Sequence, residues 1–208
     1  MGEVASRDMG AYNPPTFGGV AMADRPHVLK QERVFAGRKI ALEVHHVRDA
    51  DGRETTREVV RHRGSVAILA FPEPGRVLLV RVWRYAVGRE ILELPAGTLE
   101  EGEDPQACAA RELAEETGYR AARLELLMTL YPSPGVLSER LQVYLAEGLE
   151  PGVPNREPGE QMETVLLPVA EALAQVRDGR LTDAKTVAAL LYWSAFRSRR
   201  AASGGGGA

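Results

Sequence analysis

Between Asp104 and Gly118 the chain marks both ends of a helix and sets three carboxylates on one of its faces, which limits what can pack around it. Asp104 is a good N-cap, because its side chain can accept from the free N–H groups of the first turn, and Pro105 has the φ that a first helical position needs. Gly118 suits the left-handed residue that closes a helix. Inside, Glu112, Glu115 and Glu116 stand at i, i+3 and i+4, so their side chains enter one small volume. Like-charge neighbours at these spacings cost an isolated helix roughly 0.2–0.5 kcal/mol per pair, and the negative end of the helix dipole lies close by. A solvated acidic face is the plain reading of a Glu-rich helix. Here Ala107, Ala110, Leu113 and Ala114 are expected to form an opposite face of small residues that presses on a sheet and holds the carboxylates fixed. Fixed hard-oxygen donors suit Mg²⁺ or Mn²⁺, which take a few carboxylates and keep positions open for water and phosphate.

Gly97, Glu103 and the run RELAEETGY from Arg111 resemble the Nudix box at matching spacings. Tyr119 stands where that pattern usually has an aliphatic residue, and its ring can fill the same core site. The resemblance implies an α+β fold, an αβα sandwich with a mixed central sheet, and hydrolysis of a nucleoside diphosphate linked to another group. It implies Glu112 and Glu116 as main metal ligands, Glu115 as a further ligand or water-positioning group, and the Ala96 carbonyl as a backbone ligand. Arg111 and Glu103 would orient the cluster through charge-assisted hydrogen bonds. The chemistry agrees: an anionic diphosphate repels hydroxide, so attack needs divalent cations and a base within reach of the water.

Pro134 follows Gly118 by sixteen residues and precedes Gly135, a context similar to the ADP-ribose pyrophosphatase branch of the family. That resemblance runs from about residue 30 to 198 and implies cleavage of ADP-ribose to AMP and ribose 5-phosphate. Glu139 would contact the terminal ribose, and Arg84 the diphosphate or that ribose. Glu157, Glu160 and Glu163 are candidates for the base; alignment with the branch favours Glu160, with Glu163 as an accessory ligand. The alternatives are hydrolysis of another nucleotide sugar, such as a GDP-sugar, and a module that binds ADP-ribose without cutting it. The complete set of Glu103, Arg111, Glu112, Glu115 and Glu116 argues against the module.

Residues 1–26 and 201–208, rich in Gly and small residues, are expected to be disordered tails, and Met22 is an alternative start. Residues 27–63 alternate in short runs around the turn signal Asp51-Gly52, as a small antiparallel sheet would. Such a sheet is not stable alone. In the resembled branch it is exchanged with a second subunit, which implies a homodimer. Residues 64–200 form the Nudix domain, in which SVAILAF and RVLLVRVWRYA, joined by PEPG, are expected as central strands of a second sheet. Trp83, Tyr85 and Phe35 are candidates to stack on adenine, with core packing as the plainer reading.

The 208 residues carry a net charge of −3 with both signs interspersed, so no basic stripe points to nucleic acid or anionic lipid. One cysteine, Cys108, excludes an internal disulfide and suits a reducing compartment, the cytoplasm by default. Burial is the expected fate of that thiol. His45 and His46 point to opposite faces of a strand and cannot chelate together. The apolar runs are too short to span a membrane.

Overall fold

A computed structural model describes residues 25–156 and 161–197. The expected tails lie outside that range except for residues 25 and 26, and so do Glu157 and Glu160. Among the described residues, ten strands and three helices follow in the order β1 (His27–Ala36), β2 (Ile40–Arg48), β3 (Glu54–His62), β4 (Ser65–Ala70), β5 (Arg76–Arg84), β6 (Arg89–Glu93), β7 (Ala96–Thr98), α1 (Pro105–Thr117), β8 (Arg120–Leu130), β9 (Leu141–Glu150), β10 (Met162–Pro168), α2 (Val169–Arg177) and α3 (Ala184–Phe196). They form an antiparallel sheet β1-β2-β3, an antiparallel sheet β10-β5-β6 and a mixed sheet β7-β4-β9-β8, in which β4 and β9 run parallel.

Strand β4 is the middle of the sandwich. Every one of its residues is buried, as a strand covered on both faces requires. Val66, Ile68 and Ala70 pack with Cys108, Ala109 and Leu113 of α1, while Ala67 and Leu69 pack with Ala172 of α2 and Ala189 and Leu190 of α3. One alternating strand therefore serves two cores. The expectation that PEPG joins two strands of one sheet is corrected: β4 belongs to the mixed sheet and β5 to the antiparallel one. A proline-bounded turn can end one sheet and begin another as readily as it can close a hairpin.

The helix bounds follow the caps. Asp104 Oδ1 accepts from the Gln106 and Ala107 N–H groups at 3.0 Å each, and Gly118 takes the left-handed conformation at φ 81°. The packed face is not the one expected. Cys108, Ala109, Leu113, Glu116 and Thr117 are buried, and Ala107 and Ala110 are exposed. Leu113 is the one large apolar side chain of the helix, so burying it removes the most apolar area and sets the rotation. Ala109 at i−4 and Glu116 at i+3 turn inward with it.

The N-terminal sheet joins the body through one loop. The Val60 N–H donates to Val136 O at 2.8 Å and the Ser138 N–H to Val60 O at 2.9 Å. Val47 is its one buried apolar side chain among the described residues, whereas Val34, Phe35 and Ile40 stay exposed.

Candidate active site

The carboxylate face of α1 opens on a cavity of about 960 Å³ between the sheets. Strand β7, held to β4, brings Ala96 and Gly97 to the same wall. The Ala96 N–H donates to Glu116 Oε2 at 3.1 Å. A Cβ at Gly97 would overlap the Glu112 side chain, so only glycine lets the strand pass this close to the helix.

Arg111 organises the acids. Its Nε and Nη2 donate to the two Glu103 oxygens at 2.9 and 3.0 Å, a bidentate pair, and its Nη1 donates to Glu112 at 2.7 Å and Glu115 at 3.0 Å. The Arg111 guanidinium, helped by the Glu100 N–H, holds the Glu103 carboxyl at about 2, well below the ordinary 4.5, against the opposing effect of burial. Arg111 is in turn raised above its ordinary value, first of all by Glu103. The buried Cys108 thiol, in contact with Arg111 at 3.3 Å, is pushed up to about 12 by burial and then by Glu103. It is no nucleophile at neutral pH.

One arginine thus faces Glu103, Glu112 and Glu115, with Glu116 beside them. Among the described residues no three acidic, His or Cys side chains converge as ready metal ligands. Arg111 draws Glu112 and Glu115 to itself instead. The donor chemistry still fits a divalent cation, since the hard oxygens of Glu112, Glu115 and Glu116 gather on one cavity wall.

Other expected residues divide between those the fold brings here and those it does not. Glu139 lines the cavity and accepts from Ser65 Oγ at 2.5 Å; Arg84, at the end of β5, lines it as well. Glu163 is an exposed strand residue facing Arg81 at 3.4 Å and does not line the cavity. Pro134 and Gly135 are exposed and stand outside the lining. Trp83, Tyr85 and Phe35 are all exposed, contrary to the core reading, and Trp83 lines the cavity.

Sequence reasoning passed over several residues. Arg38, Lys39 and Arg63 form a basic rim. Arg156 donates to Glu116 O at 3.0 Å, Met162 O at 2.7 Å and Thr164 Oγ1 at 3.1 Å, tying the two ends of the segment that carries Glu157 and Glu160 to the carboxylate helix. Lys185 also lines the cavity. Its signal was present: a lysine in the first turn of a helix opposes the dipole unless acids hold it.

Comparison with known proteins agrees with this geometry. A NUDIX domain model matches residues 61–190. The chain is 39% identical over 166 residues to an ADP-ribose pyrophosphatase of Bacillus subtilis (strain 168), covering 79% of this chain and 90% of that protein. It is 37% identical over 166 residues to a methanol dehydrogenase activator of Bacillus methanolicus, with the same coverage of 79% and 90%. A solved structure described as that of an ADP compounds hydrolase superposes with a TM-score of 0.75 at 23% identity, over 85% of this chain and 96% of that one, and shares the fold. A domain match across more than half of the sequence, with relatives of this identity along most of its length, establishes that the chain belongs to the NUDIX domain family.

Proposed function

We propose that this protein is an ADP-ribose pyrophosphatase that hydrolyses the phosphoanhydride of ADP-ribose to AMP and ribose 5-phosphate. The observation that carries the reading is the joining, in one cavity, of Glu112, Glu115 and Glu116 with Arg84 and Glu139. The similarity to ADP-ribose pyrophosphatases over most of the chain supports the same substrate.

The reaction needs a divalent metal, Mg²⁺ or Mn²⁺ in this reading, which neutralises phosphate oxygens and lowers the pKa of bound water. Glu112, Glu116 and the Ala96 carbonyl would hold it, with Glu115 as a further ligand or as the group that positions water. Glu103 fixes Arg111, and Arg111 steadies Glu112 and Glu115. Arg84 binds the diphosphate or the terminal ribose, and Glu139, braced by Ser65, the terminal ribose. The 131–140 loop bearing Pro134 and Gly135 selects the substrate. Water attacks phosphorus, the bridging P–O bond breaks, and a glutamate of the 157–163 segment takes the proton. Glu160 is our assignment; Glu163, which faces Arg81 outside the cavity lining, is given no ligand role.

The exposed Val34, Phe35 and Ile40 support a homodimer formed through the N-terminal sheet, since a single chain leaves that apolar surface uncovered. The single cysteine and the mixed charge support a cytoplasmic enzyme without nucleic-acid or membrane partners. No helix among the described residues is long and apolar enough to cross a membrane.

A panel of ADP-ribose, a GDP-sugar and other nucleotide sugars, assayed with Mg²⁺, tests the reading. AMP release from ADP-ribose as the preferred reaction is expected; preference for another nucleotide sugar would overturn the substrate, and absence of all turnover the activity. Glu160→Gln should lose activity with a changed pH profile, and a parent-like profile would place the base elsewhere.

A further inference from the structure

The wall of the cavity that carries Arg84 hides a buried acid that the reaction scheme does not use. Glu93, the last residue of β6, is 2% exposed. Its Oε1 meets the Arg84 guanidinium as an ion pair rather than as an aligned hydrogen bond. Its Oε2 accepts from Lys185 Nζ at 2.5 Å, across 92 residues of chain. Lys185 also donates to Asp183 Oδ1 at 2.9 Å, and the other Asp183 oxygen accepts from the Thr186 N–H at 3.0 Å and from its hydroxyl at 2.5 Å. The Leu94 N–H returns to Thr186 Oγ1 at 2.8 Å, closing a ring between α3 and the segment that leads to Ala96.

We propose that Glu93 and Lys185 are positioning residues that aim Arg84 at the diphosphate. Both cations line the cavity, whereas Glu93 does not. Both cations meet Glu93, and Lys185 is held by Asp183 as well, so the two acids fix the two cations at the cavity wall. Arg84, with a side chain 45% exposed, has a long tether and many rotamers; a fixed acid behind it removes that freedom before substrate arrives. Lys185, with a side chain 13% exposed at the start of a helix, is held there by Glu93 and Asp183 against the helix dipole. A salt bridge serving the fold alone would have no reason to present both its cations to the cavity.

The inference rests on the proposed hydrolysis at this cavity and is tested by a double-mutant cycle on ADP-ribose with Mg²⁺. Glu93→Gln should raise KM roughly 10- to 100-fold, the loss usual for partners that orient a binding group, while kcat changes by less than about threefold. In an Arg84→Ala background the same change should add little, because the group that it positions is gone. Equal factors in both backgrounds would overturn the proposal and leave Glu93 a structural residue. If Glu93→Gln does not fold, Lys185 decides: Lys185→Arg should keep KM near the parent value and Lys185→Met should raise it, whereas equal KM values for the two would overturn the role. If the parent cleaves a different nucleotide sugar, the proposed substrate fails while the cycle, run on that compound, still decides the positioning role.

Discussion

Two of the clusters in which acids meet arginine pair them in opposite patterns. In the N-terminal sheet, Glu43 accepts from Arg33 at 3.0 Å, Arg61 at 2.7 Å and His45 at 3.0 Å, so three basic side chains surround one acid. On α1, one arginine, Arg111, bridges Glu103, Glu112 and Glu115. Burial works against ionisation of Glu43, and its partners nevertheless hold it at about 2; Glu103 is held at the same value by Arg111. Both carboxyls are held low, one by several basic neighbours and the other by a single arginine that also meets two further acids. The acid buried among basic side chains staples a sheet, while the acids gathered by Arg111 line a cavity.

Glu112→Gln should break the contrast most severely. It removes a proposed metal ligand from the cavity wall, and kcat/KM should fall by more than the ~100-fold usual for outer-shell partners of a metal. The thermal stabilisation that Mg²⁺ gives the parent should shrink with it, as a weakened site requires. A variant that kept its Mg²⁺-dependent melting shift would separate Glu112 from the metal.

Glu103→Gln should have a smaller effect, roughly 10- to 100-fold in activity, because Arg111 loses its bidentate anchor while the ligands remain. Mg²⁺ titration of activity should still saturate, at a higher concentration. Loss of saturation altogether would place Glu103 among the ligands rather than behind them.

Glu43→Gln should leave catalysis per folded enzyme unchanged and lower stability by roughly 1–3 kcal/mol at neutral pH, the worth of a buried charge-assisted network. The folded-state value of Glu43 lies below its ordinary 4.5, so its contribution is complete above about 4.5 and is lost as pH falls from there through about 2. Urea unfolding of parent and variant at fixed protein concentration should therefore converge on acidification. Curves that stay parallel down to pH 2 would show that the network stabilises by packing instead of by charge.

The limits of α1 were legible because caps are local: Asp104 and Gly118 act on backbone groups within a turn of themselves. The same holds for Glu112, Glu115 and Glu116, whose shared face follows from helical spacing. The rotation of the helix was not legible. Several faces carry small residues, and the choice among them was made by Leu113 finding β4. Nor did the sequence show that β4 and β5 part into two sheets, since apolar runs look alike whichever partner they pair with.

The amino-acid sequence by itself determined where the glutamates sit, which glycine lies before them and that an arginine stands among them, because each depends on spacing within a few turns. Tertiary structure alone decided that Glu116 turns inward, that Ser65 braces Glu139 and that Lys185 reaches Glu93 across 92 residues. Those pairings depend on how far apart segments stack, and the energy that selects a stacking is burial summed over the whole core, which no short stretch of the chain encodes.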